Sequence, residues 1–242
     1  MLTTEEITRY DRQIMIRGFG EEGQEKLKQA KVLIAGSGGL GSPIAIYLAV
    51  TGVGTIRIVD HDSVELSNLN RQILHWEKDM DRNKVDSAAE KLGELNRNVK
   101  IEAVNETINE SNISQLVADF DVIVDAMDNL PTRFLLNKAA IENNIVFIHG
   151  AVNGFEGRAM TIIPGETACL RCLYRGSIPQ EKSSVIGVTP AIVGCIQATE
   201  AIKYIVGIGK LLTNRLLLYD GLNMKFIELV VKKDPGCERC GH

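Results

Sequence analysis

The chain has 242 residues, 45% of them hydrophobic, and a formal net charge of −4. That length and apolar content are enough for one domain with a large buried core. The slight acidic excess gives no reason to expect nucleic acid or an anionic membrane as a partner.

The N-terminal segment is predicted to form two helices. Thr3 and Glu6 have the spacing of a capping box, so a first helix is expected from there through Met15. A second, polar helix is expected over 21–29. The first residues contain neither a basic segment nor an apolar run, so we expect no export signal and a cytoplasmic location.

Short apolar segments then alternate with helical ones, which predicts a doubly wound, Rossmann-like and mainly parallel sheet. The predicted strands are 31–35, 55–59, 99–104, 121–125 and 145–149. The uncharged run 32–56 is long enough to cross a bilayer, but its glycines and Pro43 predict a strand, a turn and a helix instead. We therefore expect no membrane association.

The pattern changes after Gly150, where strands are no longer separated by predicted crossover helices. Further strands are predicted at 157–163, 214–219 and 224–231. Residues 221–223 have the composition of a hairpin turn between the last two. We expect these strands to extend the sheet in antiparallel fashion. One domain is predicted over 1–242, with N-terminal helices in 1–30, a nucleotide-binding core in 31–150 and the antiparallel extension in 151–242.

A glycine-rich turn follows the first predicted strand. Gly36, Gly38 and Gly41 fit a G-x-G-x-x-G pattern, in which the turn opens a helix whose free N–H groups face a phosphate. Asp60, at the end of the second strand, has the spacing of an acid that binds ribose hydroxyls. These residues predict nucleotide binding. The alternative is a strand, a turn and a helix without a ligand.

Polar residues come directly after Asp60, in a segment unlike any dinucleotide fingerprint. Asn68, Arg71 and Gln72 lie just past the carboxyl end of a strand, where open α/β sheets bind ligands. An arginine at that place can clamp phosphate oxygens in a fork.

Two further charged residues favour a triphosphate. Lys84, near the start of the next helix, adds a second cation, and Asp128, after an apolar strand, is expected to hold Mg²⁺. Each also has an ordinary interpretation, as a solvated lysine and as a capping aspartate before Pro131. Their shared location at strand ends supports the prediction.

The chain resembles the ThiF/MoeB/HesA family, which comprises the bacterial and archaeal relatives of ubiquitin-activating enzymes, in a combination of motifs. These motifs are Tyr10–Gln13, Gly36–Gly41, Asp60–Asp62, Ser67–Gln72, Asp128–Asn129 and two distant Cys-x-x-Cys pairs. The resemblance implies adenylation, in which the C-terminal Gly-Gly of a small ubiquitin-like (β-grasp) sulphur-carrier protein attacks the α-phosphate of ATP. The products are an acyl-adenylate and pyrophosphate, for later sulphur transfer in molybdopterin or thiamin biosynthesis.

The resemblance also implies roles for individual residues. ATP contacts are expected at Gly36, Gly39, Asp60, Asn68, Arg71, Lys84, Asp128 and Asn129. The remaining cofactor-binding candidates in the same motifs are Gly38, Gly41, Asp62 and Gln72. Arg71, Lys84 and Asp128 are the expected catalytic residues, together with Arg12 reaching the phosphates from a neighbouring subunit. Because Arg12 precedes the glycine turn by a whole helical segment, we expect a homodimer in which it completes the partner's site.

Four cysteines form two Cys-x-x-Cys pairs, each able to hold one edge of a tetrahedral Zn²⁺ site. They are Cys169, Cys172, Cys237 and Cys240. A shared structural zinc is predicted, with separate thiol pairs or disulfides as the alternative.

Other reactive side chains are predicted to have no chemical role. Cys195 lies in an apolar helical segment, where packing is expected. Many members of the family carry a further cysteine in the segment corresponding to 180–188, but here that segment contains serines and no thiol. A covalent thioester or acyl-disulfide step is therefore not predicted. The histidines are read as non-catalytic.

Two other functional classes remain open from the sequence. An NAD-linked oxidoreductase would account for the glycine turn and Asp60, but not for Arg71, Lys84 and Asp128 together. A binding module that contains the zinc site and lacks activity would account for the fold and the cysteines.

Overall fold

Helices and strands follow one another much as the sequence predicts. The computed structural model describes residues 1–175 and 184–241. The helices are α1 (Thr4–Ile14), α2 (Gly20–Gln29), α3 (Gly41–Thr51), α4 (Lys84–Leu95), α5 (Ile113–Val117), α6 (Leu130–Glu142), α7 (Leu170–Leu173) and α8 (Val188–Val206). The strands are β1 (Lys31–Ala35), β2 (Thr55–Val59), β3 (Lys100–Val104), β4 (Val122–Asp125), β5 (Val146–Asn153), β6 (Glu156–Ile162), β7 (Arg215–Asp220) and β8 (Lys225–Val230).

The strands form one eight-stranded sheet in the order β3-β2-β1-β4-β5-β6-β7-β8. Strands β1 to β5 pair in parallel, and β6, β7 and β8 add to β5 in antiparallel fashion. The predicted fold class, a mainly parallel sheet extended by antiparallel strands, is confirmed.

The parallel register brings three strand ends to the same level. Ala35 at the end of β1 pairs with Val59 of β2 on one side and with Asp125 of β4 on the other. The chain leaves β1 towards β2 and later returns to β4, so the strand order reverses between β1 and β4. Ligands of open α/β sheets bind at this kind of crevice.

Strand β1, in the parallel part of the sheet, is covered on both faces. Alternate residues of β1 point to opposite faces. Val32 and Ile34 belong to a core that includes apolar residues of α3, α4 and α8. Leu33 and Ala35 belong to a second core, which includes apolar residues of α5 and α6 and the four paired cysteines. β4 is buried along its whole length and β1 is buried after Lys31, whereas every residue of the edge strand β8 is exposed.

Local details agree with the predictions at the N-terminus and differ in β5. Thr3 Oγ1 accepts a hydrogen bond from the Glu6 N–H, and Glu6 Oε2 accepts one from the Thr3 N–H, which makes the predicted capping box. The predicted end of β5 at 149 is too early, because the strand continues through Gly150 to Asn153. A Cβ at Gly150 would lie 2.2 Å from Gln197 Oε1, so this glycine permits close packing of α8 and does not end the strand.

Within the described residues, every helix is too short or too polar to cross a bilayer.

A buried polar network supports the glycine turn from below. His75 Nε2 lies 2.8 Å from the carbonyl oxygen of Ser37, and His75 Nδ1 lies 2.9 Å from Ser87 Oγ. Lys91 Nζ donates to Ser87 Oγ at 2.8 Å and to Asp79 Oδ2 at 2.5 Å. Burial lowers the pKa of His75, so the neutral ring donates its Nε2 proton to Ser37. The network fixes one carbonyl of the turn.

We expect Lys91→Met to lower the free energy of unfolding by about 3 kcal/mol, because Asp79 would stay buried without its nearest cation. This value is at the low end for a broken buried pair, since Arg82 still contacts Asp79. The control is Lys138→Met, which removes only a surface contact of 3.9 Å to Glu142. Urea denaturation should show a change within about 0.5 kcal/mol for the control. Equal effects of the two substitutions would contradict the assigned role of Lys91.

Candidate functional site

A cavity of about 500 Å³ opens at the carboxyl edge of the sheet, where the strand order reverses between β1 and β4. Most of the residues predicted to bind a nucleotide line it. They are Gly36, Gly38, Gly39, Asp60, Asp62, Arg71, Gln72, Lys84, Asp128 and Asn129. Arg12, Gly41 and Asn68 are not part of its wall. The structure thus brings together residues that are up to 93 positions apart in sequence, from Gly36 to Asn129.

The glycine turn is shaped by close backbone contacts. Gly36 has φ +103°, and a Cβ there would lie 2.7 Å from the carbonyl oxygen of Ala126. A Cβ at Gly41 would lie 2.0 Å from the carbonyl oxygen of Gly36. Gly41 therefore serves the packing of α3 against the turn, which explains why it is absent from the cavity wall. No side chain caps the start of α3. In its first turn the Ser42 N–H already donates to the Gly38 carbonyl oxygen at 2.9 Å and Pro43 has no N–H, so the Gly41 N–H is the donor that could bind an anion there.

Asp60 is held in a fixed orientation at the end of β2. Its Oδ2 accepts a hydrogen bond from the Ser37 N–H at 2.7 Å, and its Oδ1 accepts one from the Asp62 N–H at 2.9 Å. A carboxylate oxygen can accept more than one hydrogen bond. Asp60 can therefore still accept hydrogen bonds from the hydroxyls of a ribose in the cavity.

Lys84 and Asp62, two of the predicted residues, contact each other. Lys84 Nζ donates to Asp62 Oδ2 at 2.7 Å, and the Lys84 N–H donates to the Asp62 carbonyl oxygen at 2.9 Å. The side chain of Lys84 is only 6% exposed, whereas that of Asp62 is 52% exposed. Lys84 is thus a buried cation with a carboxylate partner. The alternative interpretation of Lys84 as a solvated lysine is wrong.

Arg71 lies beside the glycine turn on the segment that follows β2. Its Nη1 donates to the Ser67 carbonyl oxygen and to Asn70 Oδ1, each at 2.9 Å. Neither acceptor carries a charge, so Arg71 keeps its full positive charge for a ligand. A Cβ at Gly39 would lie 3.4 Å from Arg71 Cγ, which places the arginine against the turn.

The amides on either side of Arg71 have different surroundings. Gln72 is 4% exposed, and its Oε1 has no hydrogen-bond partner among the described residues. A buried, unsatisfied oxygen at a cavity wall suits a ligand donor. Asn68 instead accepts a hydrogen bond from the Glu65 N–H at 3.2 Å and closes a 3₁₀ turn over Leu66–Asn68. Its direct contact with a nucleotide stays a prediction.

Asp128 and Asn129 both line the cavity, but only Asn129 caps a helix. Asn129 Oδ1 accepts from the Thr132 N–H at 3.0 Å, so Asn129 is the N-cap of α6. The alternative interpretation of Asp128 as the cap is therefore wrong. Asp128 is exposed at the cavity, and its Oδ1 accepts a long hydrogen bond from Asn129 Nδ2, at 3.4 Å. Its carboxylate could hold a divalent cation.

Asp60, His61 and Asp62 form a second group of possible metal ligands, within 4.8 Å of one another. The oxygens of Asp60 already accept backbone hydrogen bonds, and Asp62 is paired with Lys84. Asp128 is the better candidate for this reason.

The sequence did not predict a chain of buried hydrogen bonds that ends at the cavity. His149 is fully buried, with Nδ1 2.7 Å from Asp125 Oδ2 and Nε2 3.0 Å from the hydroxyl of Tyr174, which lines the cavity. Burial lowers the pKa of His149, although the hydrogen bond to Asp125 opposes the shift. The neutral ring thus donates from Nδ1 to Asp125 and accepts from Tyr174 at Nε2. We call Asp125, His149 and Tyr174 the relay.

Two arginines of the cavity wall were also missed. Arg133, on α6, donates to the carbonyl oxygen of Met127 and lies 3.4 Å from Asp125 Oδ2. Arg158 lies on β6 and is half-buried. The position of Arg133 five residues after Asp128 was an available signal, because the first turn of a helix after a strand end faces the same crevice.

The four paired cysteines meet in one buried cluster. Their sulphur atoms all lie within 4.8 Å of one another, with 3.7 Å between Cys169 and Cys237 and 3.4 Å between Cys172 and Cys240. Four thiolates around a tetrahedral zinc, with Zn–S bonds of about 2.3 Å, have their sulphurs roughly 3.8 Å apart. All four are free thiols, so the disulfide alternative is not observed. The cluster could hold zinc and does not line the cavity.

The fifth cysteine and the crossover segment were predicted to be chemically silent. Cys195 is half-buried in α8, and burial raises the pKa of its thiol. Residues 180–183 of the crossover lie outside the described residues, as does His242. In the described part, Val185 lines the cavity, and a Cβ at Gly187 would lie 2.3 Å from the Asn70 carbonyl oxygen. The crossover therefore passes directly against the segment that carries Arg71.

Comparison with known proteins gives concordant matches. The ThiF family model matches residues 10–239. The chain is 42% identical over 246 residues to the SAMP-activating enzyme E1 of Haloferax volcanii, with 99% of this chain and 91% of that protein covered. It is 40% identical over 250 residues to the sulfur carrier protein adenylyltransferase of Thermus thermophilus, with 99% and 92% covered. It spans about half, 53%, of a Zea mays relative named adenylyltransferase and sulfurtransferase.

The fold is also found among solved structures. The structure of E. coli MccB with ATP is similar to this chain with a TM-score of 0.87 at 25% identity. The match covers 96% of this chain and 74% of that chain.

Proposed function

Because the chain belongs to the ThiF family, we propose that it adenylates the C-terminal glycine of a ubiquitin-like sulphur-carrier protein, with ATP as the nucleotide donor. The observation that supports this most directly is the cavity at the switch point, where a glycine turn, Asp60, Arg71, Lys84 and Asp128 meet. Relatives at 40% and 42% identity are named as a sulfur carrier protein adenylyltransferase and as a SAMP-activating enzyme E1.

The cavity offers separate groups for the phosphates and for the ribose of ATP. The Gly41 N–H at the start of α3 would donate to a phosphate oxygen, and Asp60 would accept hydrogen bonds from the ribose. Gln72 Oε1, which is buried without a partner, offers a further acceptor at the same wall. The structural relative MccB was solved with ATP, which supports the same nucleotide here.

The reaction forms one bond and breaks one. A carboxylate oxygen of the carrier's terminal glycine bonds to the α-phosphorus of ATP, and the bond to the bridging oxygen breaks, which releases pyrophosphate. The nucleophile is already ionised, so the site needs no general base. Positioning and charge stabilisation supply the catalysis of such in-line displacements.

Arg71 would stabilise that displacement, because its charge has no carboxylate partner among its hydrogen-bond acceptors. Lys84 would share its charge between Asp62 and the phosphates. Asp128 would hold Mg²⁺, which supplies charge neutralisation at the phosphate oxygens when bound.

The second part of the proposal concerns the cysteine cluster. We propose that Cys169, Cys172, Cys237 and Cys240 hold one Zn²⁺. A site with four thiolates has no open position, so this zinc would stabilise the fold and take no part in the displacement.

The third part is a homodimer in which Arg12 completes the partner's site. Arg12 is exposed on α1 and lies outside the cavity of its own chain. A symmetric dimer would bring each Arg12 to the other chain's phosphates. The pathway, molybdopterin or thiamin biosynthesis, depends on which carrier is used.

Arg71→Ala and Asp128→Ala should each lower carrier-dependent ATP–pyrophosphate exchange by two to four orders of magnitude, or about 3 to 5 kcal/mol. Both changes remove charge stabilisation that is strongest in the transition state. The control is Arg97→Ala, which breaks a surface pair with Glu5 and should leave the exchange rate unchanged. Wild-type rates in either cavity variant, with the protein folded, would refute the assigned role. Nicotinamide-dependent turnover without exchange would instead favour the oxidoreductase.

Protein purified without chelator should contain one zinc per chain by metal analysis. Cys172→Ala should lose the metal, whereas the matched control Cys195→Ala should retain it together with a near-normal rate of carrier adenylation. Removal of the zinc should lower the melting temperature more than the exchange rate, because the site is closed. Metal-free wild-type protein with four reactive thiols would disprove the zinc site.

Mixing Arg12→Ala with Arg71→Ala chains should restore activity. A mixed dimer would contain one intact site, so random exchange of subunits predicts about a quarter of the wild-type rate. The control mixes Arg71→Ala with Asp128→Ala chains. Both residues belong to the same chain's site, so no intact site can form. Equal rates in the two mixtures would place Arg12 outside the partner's site.

A further inference from the structure

Tyr174 connects the relay to the cavity, which Arg158 also lines. The hydroxyl of Tyr174 donates its hydrogen bond to His149 Nε2, which leaves its oxygen lone pairs as acceptors. The charge of Arg158 is close enough to affect the pKa of Tyr174 and the pKa of His149. The Tyr174 hydroxyl, oriented by two fully buried side chains, is therefore an acceptor available to the guanidinium of Arg158.

Arg158 lies on a strand that carries none of the predicted nucleotide residues. It is on β6, where it pairs with Ala151 of β5, and both line the cavity together with Tyr174. The glycine turn, Asp60 and Arg71 come instead from β1, β2 and the segment after β2. The antiparallel extension therefore supplies a cation that the nucleotide-binding core does not contain.

The two buried cations of the cavity wall, Lys84 and Arg133, are already next to carboxylates. Lys84 is 2.7 Å from Asp62, and Arg133 is 3.4 Å from Asp125. Within residues 1–175 and 184–241, the ion pairs of the cavity do not include Arg158. An arginine has five N–H donors, so an interaction with one hydroxyl leaves a fork available for an anion.

The proposed reaction needs a cation at such a place. A terminal carboxylate must approach an α-phosphate that is also negative, and the two repel each other unless positive charge lies beside the attacking group. The nucleotide wall supplies its charge to the phosphates. The attacking carboxylate requires a positive charge of its own.

We propose, on the basis of the function proposed above, that Arg158 binds the terminal carboxylate of the carrier protein and that the relay residues position Arg158. The attacking oxygen still bonds only to phosphorus, and Arg158 makes and breaks no covalent bond. Arg158 is thereby a substrate-binding residue, while Asp125, His149 and Tyr174 act through it.

The test compares two forms of one probe. A β-grasp protein ending in Gly-Gly that supports exchange with the wild-type chain is prepared with a free C-terminal carboxylate and with a C-terminal amide. Binding of each form is measured by calorimetry in the presence of Mg²⁺ and an ATP analogue with a methylene group between the α- and β-phosphates, which blocks the displacement. The wild-type protein should bind the acid roughly tenfold to hundredfold more tightly than the amide, as expected for hydrogen bonds to a charged group.

Arg158→Ala should remove that preference and leave the affinity for the ATP analogue unchanged. Arg158→Gln serves as a second neutral variant if the alanine protein does not fold, and Arg158→Lys should retain part of the preference. Tyr174→Phe keeps the ring and removes the hydroxyl, so the preference should fall to an intermediate value. The matched control is Arg215→Ala on β7, whose arginine pairs with Glu228 away from the cavity and should not affect the preference.

Two results would overturn the assignment of Arg158. One is equal binding of the acid and the amide by the wild-type protein, and the other is an unchanged preference in folded Arg158→Ala or Arg158→Gln. A full preference in Tyr174→Phe would overturn the positioning role of the relay. These outcomes differ from failure of the proposed function, which would be seen as no carrier-dependent exchange by the wild-type protein with any β-grasp probe.

Discussion

The close approach of the glycine turn to the neighbouring backbone is the contact on which the rest of the site depends. A Cβ at Gly41 would lie 2.0 Å from the Gly36 carbonyl oxygen, and one at Gly36 would lie 2.7 Å from that of Ala126. Only glycine can bring α3 and the end of β4 so near to the end of β1. Asp60 follows β2 and Asp128 follows β4, the two strands that flank β1, so this contact also sets the spacing of the two acids. The buried histidine below the turn then fixes the Ser37 carbonyl.

Charge around the cavity is organised in pairs, with exceptions that have functional meaning. Lys84 and Arg133 each lie near a carboxylate, so burial of these cations is compensated within the protein. Arg71 has only neutral acceptors, and it lies on the nucleotide side. A site built in this way keeps its buried charges stable while a few charges stay available to an anionic ligand. Arg71 comes from the segment after β2 and Arg158 from β6, so the cavity has one such charge for each of the two anionic reactants of the proposed reaction.

The fold was largely predictable, because strand and helix periodicity are local properties and the turn residues stand between them. The motifs at strand ends were predictable for the same reason, and the family, the fold class and the adenylyltransferase assignment are confirmed by the relatives. Asn129 shows the limit: sequence alone did not tell which of two adjacent residues would cap α6. The relay could not be found at all, since Asp125, His149 and Tyr174 are brought together only by the pairing of β4 with β5 and by the position of α7. The individual roles of the cavity residues stay predictions.

The separation of the two cysteine pairs along the chain has a consequence for how the protein folds. One pair lies at the N-cap of α7 and within it, before α8, and the other follows β8, so the cluster is complete only when the segment after β8 reaches α7. Contacts between distant residues form late, because the chain between them must first lose conformational freedom. If the cluster holds zinc as proposed, the metal site with four ligands would therefore be completed late in folding. A nascent or refolding chain would spend its earlier stages with two separated thiol pairs, so the cellular redox state and the zinc supply would act on yield before they act on activity.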